Sequence, residues 1–197
     1  MLEALLGWDE HVFRLLNQGW LHPVLDHVMP LVTDTRNYLI PFTLAAIVIL
    51  YVGRLRGLRF LVLATVSVVV ADAISAHVFK QAVFRTRPCI ALEGVRQLVG
   101  CVNSPSFPSN HAVNAAALAT LATLSMPRLW APAVALAMLV GYSRIYVGTH
   151  YPLDVLAGGV LGIAIALVLS GIMTLLWPFD SGTGARRRPS TLSFGDR

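Results

Sequence analysis

The sequence is short of charged residues, which make up only 13% of its 197 positions. Soluble domains carry roughly 25%, and 56% of this chain is hydrophobic, so we exclude a soluble protein. Lysine is nearly absent, since Lys80 is the only one among 15 Lys and Arg residues. The arginines lie mostly at the ends of apolar stretches, which is typical of membrane topology. Because no aromatic residues interleave with them, no nucleic-acid partner is indicated.

Cysteine is also scarce, with Cys89 and Cys101 in one polar segment. Two cysteines twelve residues apart lack the companions that a zinc site needs, so we expect no metal. If the segment lies outside the cytoplasm, a disulfide between them is possible, and two free thiols are the alternative. Alternating ten-residue segments are missing, which excludes a transmembrane strand barrel. Asp9-Glu10 interrupts the first apolar run, so we expect no cleavable signal peptide.

Long apolar runs are what the sequence has in abundance. A spanning helix needs about 20 residues, and we predict five main spans at residues 38–52, 58–79, 111–126, 129–147 and 153–177. The predicted fold is therefore an all-α, multi-pass transmembrane helical bundle. Residues 3–18 fit an amphipathic interfacial helix. Residues 21–32 fit a partly inserted helix on the outer side, and a sixth full crossing is the alternative.

The arginine-rich loops predict the orientation of these spans. Arg54, Arg56 and Arg59 separate the first two spans, Arg128 separates the third and fourth, and residues 186–188 follow the fifth. The positive-inside rule places all of them in the cytoplasm.

The remaining loops, residues 80–110 and 148–152, then lie outside. We expect one membrane-embedded domain over residues 1–179 and a disordered, basic cytoplasmic tail over 180–197. The predicted location is the bacterial cytoplasmic (inner) membrane, with the outer loops facing the periplasm or exterior.

Three polar islands interrupt the apolar sequence, and all three fall on the predicted outer side. They are Lys80-x6-Arg87-Pro88, Pro108-Ser109-Asn110-His111 and Ser143-Arg144-x5-His150-x3-Asp154. Arginine and lysine hold anions with several oxygens, and two histidines can act as nucleophile and proton donor. A carboxylate can orient one of those histidines. Together the islands predict hydrolysis of a phosphate ester with no metal or other cofactor.

Local spacing supports this interpretation. Asp154 follows His150 by four residues, with Pro152 suited to a first helical turn, so the two side chains should meet. Ser109 or Asn110 fits a helix N-cap, where free N–H groups face anions. If the second span stays helical up to Pro88, then Lys80 and Arg87 share a face.

Other polar residues in the apolar chain are given simpler interpretations. Arg85 and Arg96 are expected to be snorkelling cations at the membrane edge. Asp72 and His77 lie within the second span, and packing hydrogen bonds are expected for them rather than catalysis.

The three islands resemble the signature of the type 2 phosphatidic acid phosphatase superfamily, whose membrane lipid phosphatases share a site design with vanadium haloperoxidases. The resemblance implies a helical bundle with a metal-free site at the outer membrane face. It implies that His150 attacks phosphorus and forms a phosphohistidine, that Asp154 orients His150, and that His111 protonates the leaving oxygen. The residues it implies for binding the phosphoryl group are Lys80, Arg87, Ser109, Asn110 and Arg144.

One residue departs from the family pattern, because Asn110 stands where the family usually has glycine. Asparagine tolerates left-handed backbone, so the fold can survive, while a side-chain contact could change the leaving-group preference. Small size and short loops look most like bacterial undecaprenyl diphosphate phosphatases and phosphatidylglycerophosphate phosphatases. We expect undecaprenyl diphosphate as substrate, with phosphatidylglycerophosphate or phosphatidic acid as alternatives. A non-catalytic lipid-headgroup carrier is the alternative from another class.

Overall fold

The computed structural model describes residues 1–177, and this part of the chain contains helices and no strand. Its longer helices are α1 (Leu2–Arg14), α2 (Pro23–Thr33), α3 (Leu39–Ile74), α4 (Asn110–Ser125), α5 (Trp130–Tyr146) and α6 (Pro152–Leu176). Single turns connect them, at Leu15–Gly19, Thr35–Tyr38, Ser75–Phe79, Lys80–Ala82, Pro88–Ala91 and Pro127–Leu129. The all-α prediction is confirmed. The predicted tail, 180–197, lies outside the described residues, and the single domain over 1–179 stays a prediction.

The helix α3 reverses direction at Arg54, whose φ of 46° and ψ of −123° are not helical. Residues eight apart in a straight helix are about 12 Å apart. A Cβ added at Gly57 would nevertheless overlap the carbonyl group of Ile49. The chain therefore folds back on itself, and the predicted spans 38–52 and 58–79 correspond to the two arms of α3.

Three segments are long and apolar enough to cross a membrane, namely Thr35–Ala82, Pro127–Tyr146 and Pro152–Leu176. The first of them contains both arms of α3. The helix α4 has 16 residues, which is shorter than the roughly 20 that a full crossing needs. The structure thus confirms a multi-helix membrane protein, while the count of five spans stays a prediction.

The second arm of α3 packs with α4 and α6, and we call this group the bundle body. Its core contains Leu63, Ala117, Leu121 and Ala166. Small residues allow these helices to approach closely. A Cβ at Gly162 would overlap the carbonyl oxygen of Val113 in the neighbouring helix. The alanine-rich sequence of α4 therefore suits its place between two other helices.

The two N-terminal helices pack against one end of the bundle, where residues 83–111 meet residues 144–154. We call it the polar end. The buried amide of Asn17 donates to the carbonyl of Tyr146 (2.8 Å) and accepts from the Arg96 N–H (2.9 Å). Asp26 of α2 accepts from the Tyr146 hydroxyl (2.5 Å) and pairs with Arg96. These contacts join both N-terminal helices to the polar end, and their interfacial placement and the alternative sixth crossing stay predictions.

Arg96 is therefore not a simple snorkelling cation, and that prediction is wrong. Its guanidinium pairs with Asp26 and lies 5.2 Å from the centre of the Tyr146 ring. Hydrogen bonding to Asp26 raises the pKa of Arg96 above its usual value. This side chain ties the loop before α4 to both α2 and α5.

Candidate functional site

Arg87 lies at the centre of the polar end and is only 6% exposed. Its Nε donates to the carbonyl oxygen of Ser104 (2.9 Å), and its Nη2 donates to the hydroxyl of the same residue (3.1 Å). Its Nη1 donates to the carbonyl of Thr149 (3.3 Å) and lies 3.1 Å from Nε2 of His150. Burial lowers the pKa of Arg87, although nearby Asp154 opposes the shift. The first and third islands thus meet directly.

The chain between Lys80 and Arg87 is not the continuous helix that was expected. The helical turn Lys80–Ala82 ends where Val83 adopts extended backbone, with φ −123° and ψ 91°. The continuous helix up to Pro88 is therefore wrong, and the two cations do not share a helix face. Lys80 still reaches the polar end, because its charge lies within interacting range of Arg87, Arg144 and Asp72.

His150 and Asp154 meet at the start of α6. Pro152 opens this helix, and the Asp154 carboxylate accepts from the Tyr151 N–H (2.9 Å), which caps it. Nδ1 of His150 lies 3.6 Å from Oδ2 of Asp154 and 3.4 Å from the Ser106 hydroxyl. This side of the imidazole faces an acceptor, so its Nε2 faces the neighbourhood of Arg87.

The His150 imidazole is only 2% exposed. Burial lowers its pKa to about 4, against the opposing hydrogen bond with Asp154. The ring is therefore neutral at neutral pH and has a nitrogen lone pair available.

Asp154 is fully buried and has more partners than the sequence predicted. The Ser106 hydroxyl donates to its Oδ2 (2.5 Å), and Arg85 Nη1 donates to its Oδ1 (2.9 Å). A second Arg85 nitrogen donates to Asp9 of α1 at 2.6 Å. The interpretation of Arg85 as a snorkelling cation is therefore wrong, because it bridges two buried carboxylates.

The second island opens α4, with Ser109 as the N-cap. The Ser109 N–H donates to the backbone carbonyl of Asp154 (3.0 Å), and its buried hydroxyl has no hydrogen-bond partner. His111 follows in the first turn and hydrogen-bonds the backbone of Thr33. The ring lies within electrostatic range of His150, Arg144 and Arg87. The two candidate catalytic histidines thus lie at the same end of the bundle.

Arg144, at the end of α5, is 8% exposed. One of its terminal nitrogens donates to the Thr33 hydroxyl, and its buried Nε has no partner. Its carbonyl accepts from the N–H groups of Thr149 (3.1 Å) and His150 (3.2 Å). The turn between them needs Gly148, whose φ is 85°. The turn that positions Arg144 therefore also positions His150.

Asn110 is the one predicted phosphate ligand whose side chain points elsewhere. Its Oδ1 accepts from the Ser75 hydroxyl (2.7 Å), and its Nδ2 donates to Asp72 (3.0 Å). Asn114 donates to the same Asp72 oxygen (3.2 Å). A side-chain contact between Asn110 and phosphate is therefore not supported, since the amide links α4 to α3. Asp72 has the packing hydrogen bonds expected for it.

Cys89 and Cys101 are joined by a disulfide, with their Cα atoms 6.2 Å apart. The bond closes a loop between these two residues. Arg87 lies just before the loop, and Ser104 and Ser106 lie just after it. Among residues 1–177, no group of three or more His, Cys, Asp or Glu side chains is placed to hold a metal ion.

Sequence reasoning missed Asp9, Thr33, Arg85 and Ser106. Only two of them carried a usable signal. Arg85 stands two residues before Arg87, a spacing that puts both on one side of extended backbone. Asp9 and Asn17 lie eight residues apart along the N-terminal helical segment, which places them on one face with Phe13 between them. Nothing in the pattern singled out Thr33 or Ser106.

Comparisons with known proteins agree with the fold and with the family resemblance. The chain matches the model of the PAP2 superfamily over residues 56–178. An undecaprenyl-diphosphatase of Bacillus subtilis is 29% identical over 156 residues, covering 79% of each chain. One from Sulfolobus acidocaldarius is 32% identical over 162 residues, covering 81% of this chain and 76% of the relative. The crystal structure of a PAP2 type phosphatidylglycerolphosphate phosphatase from Bacillus subtilis superposes with a TM-score of 0.67, at 26% identity and 89% coverage of both chains.

Proposed function

This chain belongs to the PAP2 superfamily and is a membrane lipid phosphatase of that type, and we propose that it removes the terminal phosphate of undecaprenyl diphosphate at the extracytoplasmic face. The observation that carries the proposal is the environment of His150. Asp154 and Ser106 lie against one ring nitrogen, and Arg87 lies 3.1 Å from the other. A nucleophile with an oriented ring beside an anion-binding cation fits phosphoryl transfer.

Binding of the phosphoryl group is assigned to the cations and to the start of α4. Arg144 Nε and the Ser109 hydroxyl are buried without partners, and such groups are costly unless a ligand completes them. The first N–H groups of α4, including that of Asn110, add the usual anion preference of a helix N-terminus. Arg87 and Lys80 supply further positive charge for the equatorial oxygens.

The first chemical step forms a phosphohistidine. Nε2 of His150 attacks phosphorus, so an N–P bond forms while the bond from phosphorus to the leaving oxygen breaks. His111, protonated when the anionic headgroup is bound, gives its proton to that oxygen, which leaves as the lipid monophosphate. Asp154 holds the Nδ1–H of His150 and stabilises the positive charge that develops on the ring.

The second step regenerates the enzyme. His111, now neutral, takes a proton from water, and the resulting hydroxide attacks phosphorus. The N–P bond breaks, inorganic phosphate leaves, and both histidines return to their starting states. The net reaction consumes one water for each phosphate released.

The choice of substrate rests on the relatives named undecaprenyl-diphosphatase. A second candidate is phosphatidylglycerophosphate, favoured by the structural match to a phosphatase of that lipid over 89% of both chains. The family and the names of the relatives favour either enzyme over the lipid-headgroup carrier.

The proposed orientation of the protein in the membrane rests on the arginine-rich reversal and on its position opposite the polar end. The reversal at Arg54 and the polar end stand at opposite ends of the second arm of α3, since the arm runs from that reversal to the Lys80–Ala82 turn. The positive-inside rule assigns the arginine-rich reversal to the cytoplasm. The polar end then faces the periplasm or exterior of an inner membrane.

A phosphate-release panel tests the substrate assignment. Purified protein in detergent is given undecaprenyl diphosphate, phosphatidylglycerophosphate or phosphatidic acid, each with and without EDTA. We expect the highest kcat/KM with undecaprenyl diphosphate and no effect of EDTA. A clear preference for phosphatidylglycerophosphate would select the second candidate, and strong inhibition by EDTA would contradict the metal-free mechanism.

A further inference from the structure

The helix α1 and the turn Leu15–Gly19 that follows it bury a face with two polar residues, whereas Glu3 and His11 stay exposed. Asp9, Phe13 and Asn17 recur every four residues, and each is 0% exposed. Trp8 and Leu15, on other faces, are 53% and 51% exposed. Exposed apolar side chains beside exposed polar ones suit a helix lying in the membrane interface, where one side contacts lipid and another contacts water. A carboxylate placed at complete burial on such a helix requires a compensating partner.

Asp9 has two such partners, and both lead to Asp154. Its Oδ1 accepts from the Leu153 N–H (2.8 Å), the residue just before Asp154 in α6. Its Oδ2 accepts from Arg85 Nη2 (2.6 Å). The other terminal nitrogen of Arg85 donates to Asp154 Oδ1 (2.9 Å), and the guanidinium lies 3.8 Å from the Tyr151 ring centre.

The planar guanidinium is therefore held at three positions. One carboxylate binds each terminal nitrogen, and an aromatic ring covers the plane, so Arg85 has little freedom to rotate. Its bond to Oδ1 of Asp154 fixes the direction of that carboxylate. Oδ2 is then left for the Ser106 hydroxyl, the Tyr151 N–H and the His150 ring.

We propose that Asp9 is a positioning residue for His150, acting through Arg85 and Asp154, so that the N-terminal helix α1 is part of the catalytic machinery. The proposal rests on the proposed function, because it needs His150 as the nucleophile. Without the Asp9 charge, Arg85 keeps one carboxylate and gains rotational freedom. Asp154 then holds the imidazole in a wider range of orientations, and fewer of them align Nε2 with phosphorus.

The substitution Asp9→Asn isolates this effect. Asparagine has the same shape and keeps an oxygen for the Leu153 N–H, so the start of α6 stays capped. It loses the charge that holds Arg85. The matched control is Glu10→Gln, which removes a carboxylate from the same helix. Glu10 pairs with Arg14 at the surface (2.9 Å) and makes no hydrogen bond to Arg85 or Asp154.

The experiment measures kcat and KM for D9N, R85M, the double variant and E10Q in detergent, with thermal unfolding of each. We expect D9N to lower kcat about 10- to 100-fold, by analogy with groups that orient the ligands of a catalytic metal, with KM nearly unchanged. The double variant should be no slower than R85M, because Asp9 acts only through Arg85. E10Q should match the parent protein.

A purely structural clamp would behave differently, with lower unfolding temperature, normal kcat per folded molecule, and additive effects in the double variant. A normal kcat per folded D9N molecule would overturn the proposal, and so would additive effects of D9N and R85M in the double variant. If D9N does not fold, R85K provides the test, since one ammonium cannot reproduce the bidentate bridge. R85K with the parental kcat would also overturn it.

H150A is assayed under the same conditions, to separate the proposed function from the positioning role of Asp9. Turnover by H150A would refute the proposed function itself. An inactive H150A together with fully active D9N would refute only the positioning role of Asp9.

Discussion

The polar end and the bundle body are held together by different interactions. The bundle body relies on close contact of small and apolar residues, as where Gly162 meets the backbone of Val113. The polar end relies on buried charges, as where Arg85 joins Asp9 to Asp154. Within a membrane, close packing can be supplied by many sequences, whereas a buried charge needs a specific partner. Folding stability and catalysis therefore depend on different residues here. Substitutions in the bundle body should change stability, and substitutions at the polar end should change activity.

The largest expected effect separates the two regions completely. His150→Ala should lower phosphate release at least about 10⁴-fold, because it removes the nucleophile. The apolar core of the bundle body does not include this ring, so the variant should stay folded. Phosphate assays and thermal unfolding in detergent provide both readouts. His77→Ala, at an exposed histidine of the Ser75–Phe79 turn, serves as the control and should keep activity. Substantial turnover by H150A would contradict the mechanism.

A pH titration sharpens the comparison on the side of stability. The folded His150 has a pKa of about 4 and the unfolded residue about 6.5. As the pH falls, His150 is therefore protonated in the unfolded chain before it is protonated in the folded protein. The stability that the neutral buried ring gives to the folded state is complete above pH 6.5 and is lost as the pH falls toward 4. The loss reaches about 3 kcal/mol.

The measurement compares thermal unfolding of the parent protein with that of H150N between pH 7 and pH 4. The parent should lose more stability than H150N over this interval. Parallel curves would show that the buried ring titrates normally.

A matched pair of glycines tests the bundle body alone. Gly162→Ala places a Cβ against the Val113 carbonyl and 3.0 Å from the Ala117 nitrogen, while a Cβ at Gly159 meets nothing within 4 Å. We expect G162A to cost about 1–3 kcal/mol in unfolding free energy, the usual range for overpacking. G159A should be neutral or slightly stabilising. Both variants should keep the parental kcat per folded molecule. Equal stabilities would contradict the close helix contact.

The smallest effect is expected at the residue that departs from the family. Asn110→Gly removes the hydrogen bonds to Ser75 and Asp72, at a cost of about 1 kcal/mol. Because the amide points toward α3, the order of preference among lipid phosphates should not change. Asn114→Ala, which removes another donor to Asp72, should have a similar cost. The substrate panel and thermal unfolding check this, and an altered preference in N110G alone would indicate a direct contact with substrate.

The sequence predicted the all-α membrane fold and the meeting of the three islands, because charged residues stand out in an apolar chain. Its helix bounds for the later spans agree with α4, α5 and α6 within one residue at each end. It did not predict the non-helical segment from Val83 to Arg87, since apolar periodicity does not show where a helix stops short of a proline.

The roles of Arg85 and Asp9 could not be predicted either. Each depends on a partner far away in the chain, and one sequence contains no information on which distant residues meet. The orientation of the Asn110 amide likewise follows from Ser75 and Asp72, which belong to another helix. Local spacing therefore identified the groups that act on phosphate better than the groups that hold them in place.

The most direct test of the central claim is to trap the phosphorylated enzyme. Protein and excess lipid diphosphate are mixed, quenched in base within one turnover, and digested for mass spectrometry, because phosphohistidine survives base and not acid. We predict a phosphoryl group on the peptide carrying His150 and none in H150A. Phosphate release with the phosphoryl group on another residue, or with no phosphorylated peptide at any time, would contradict the account.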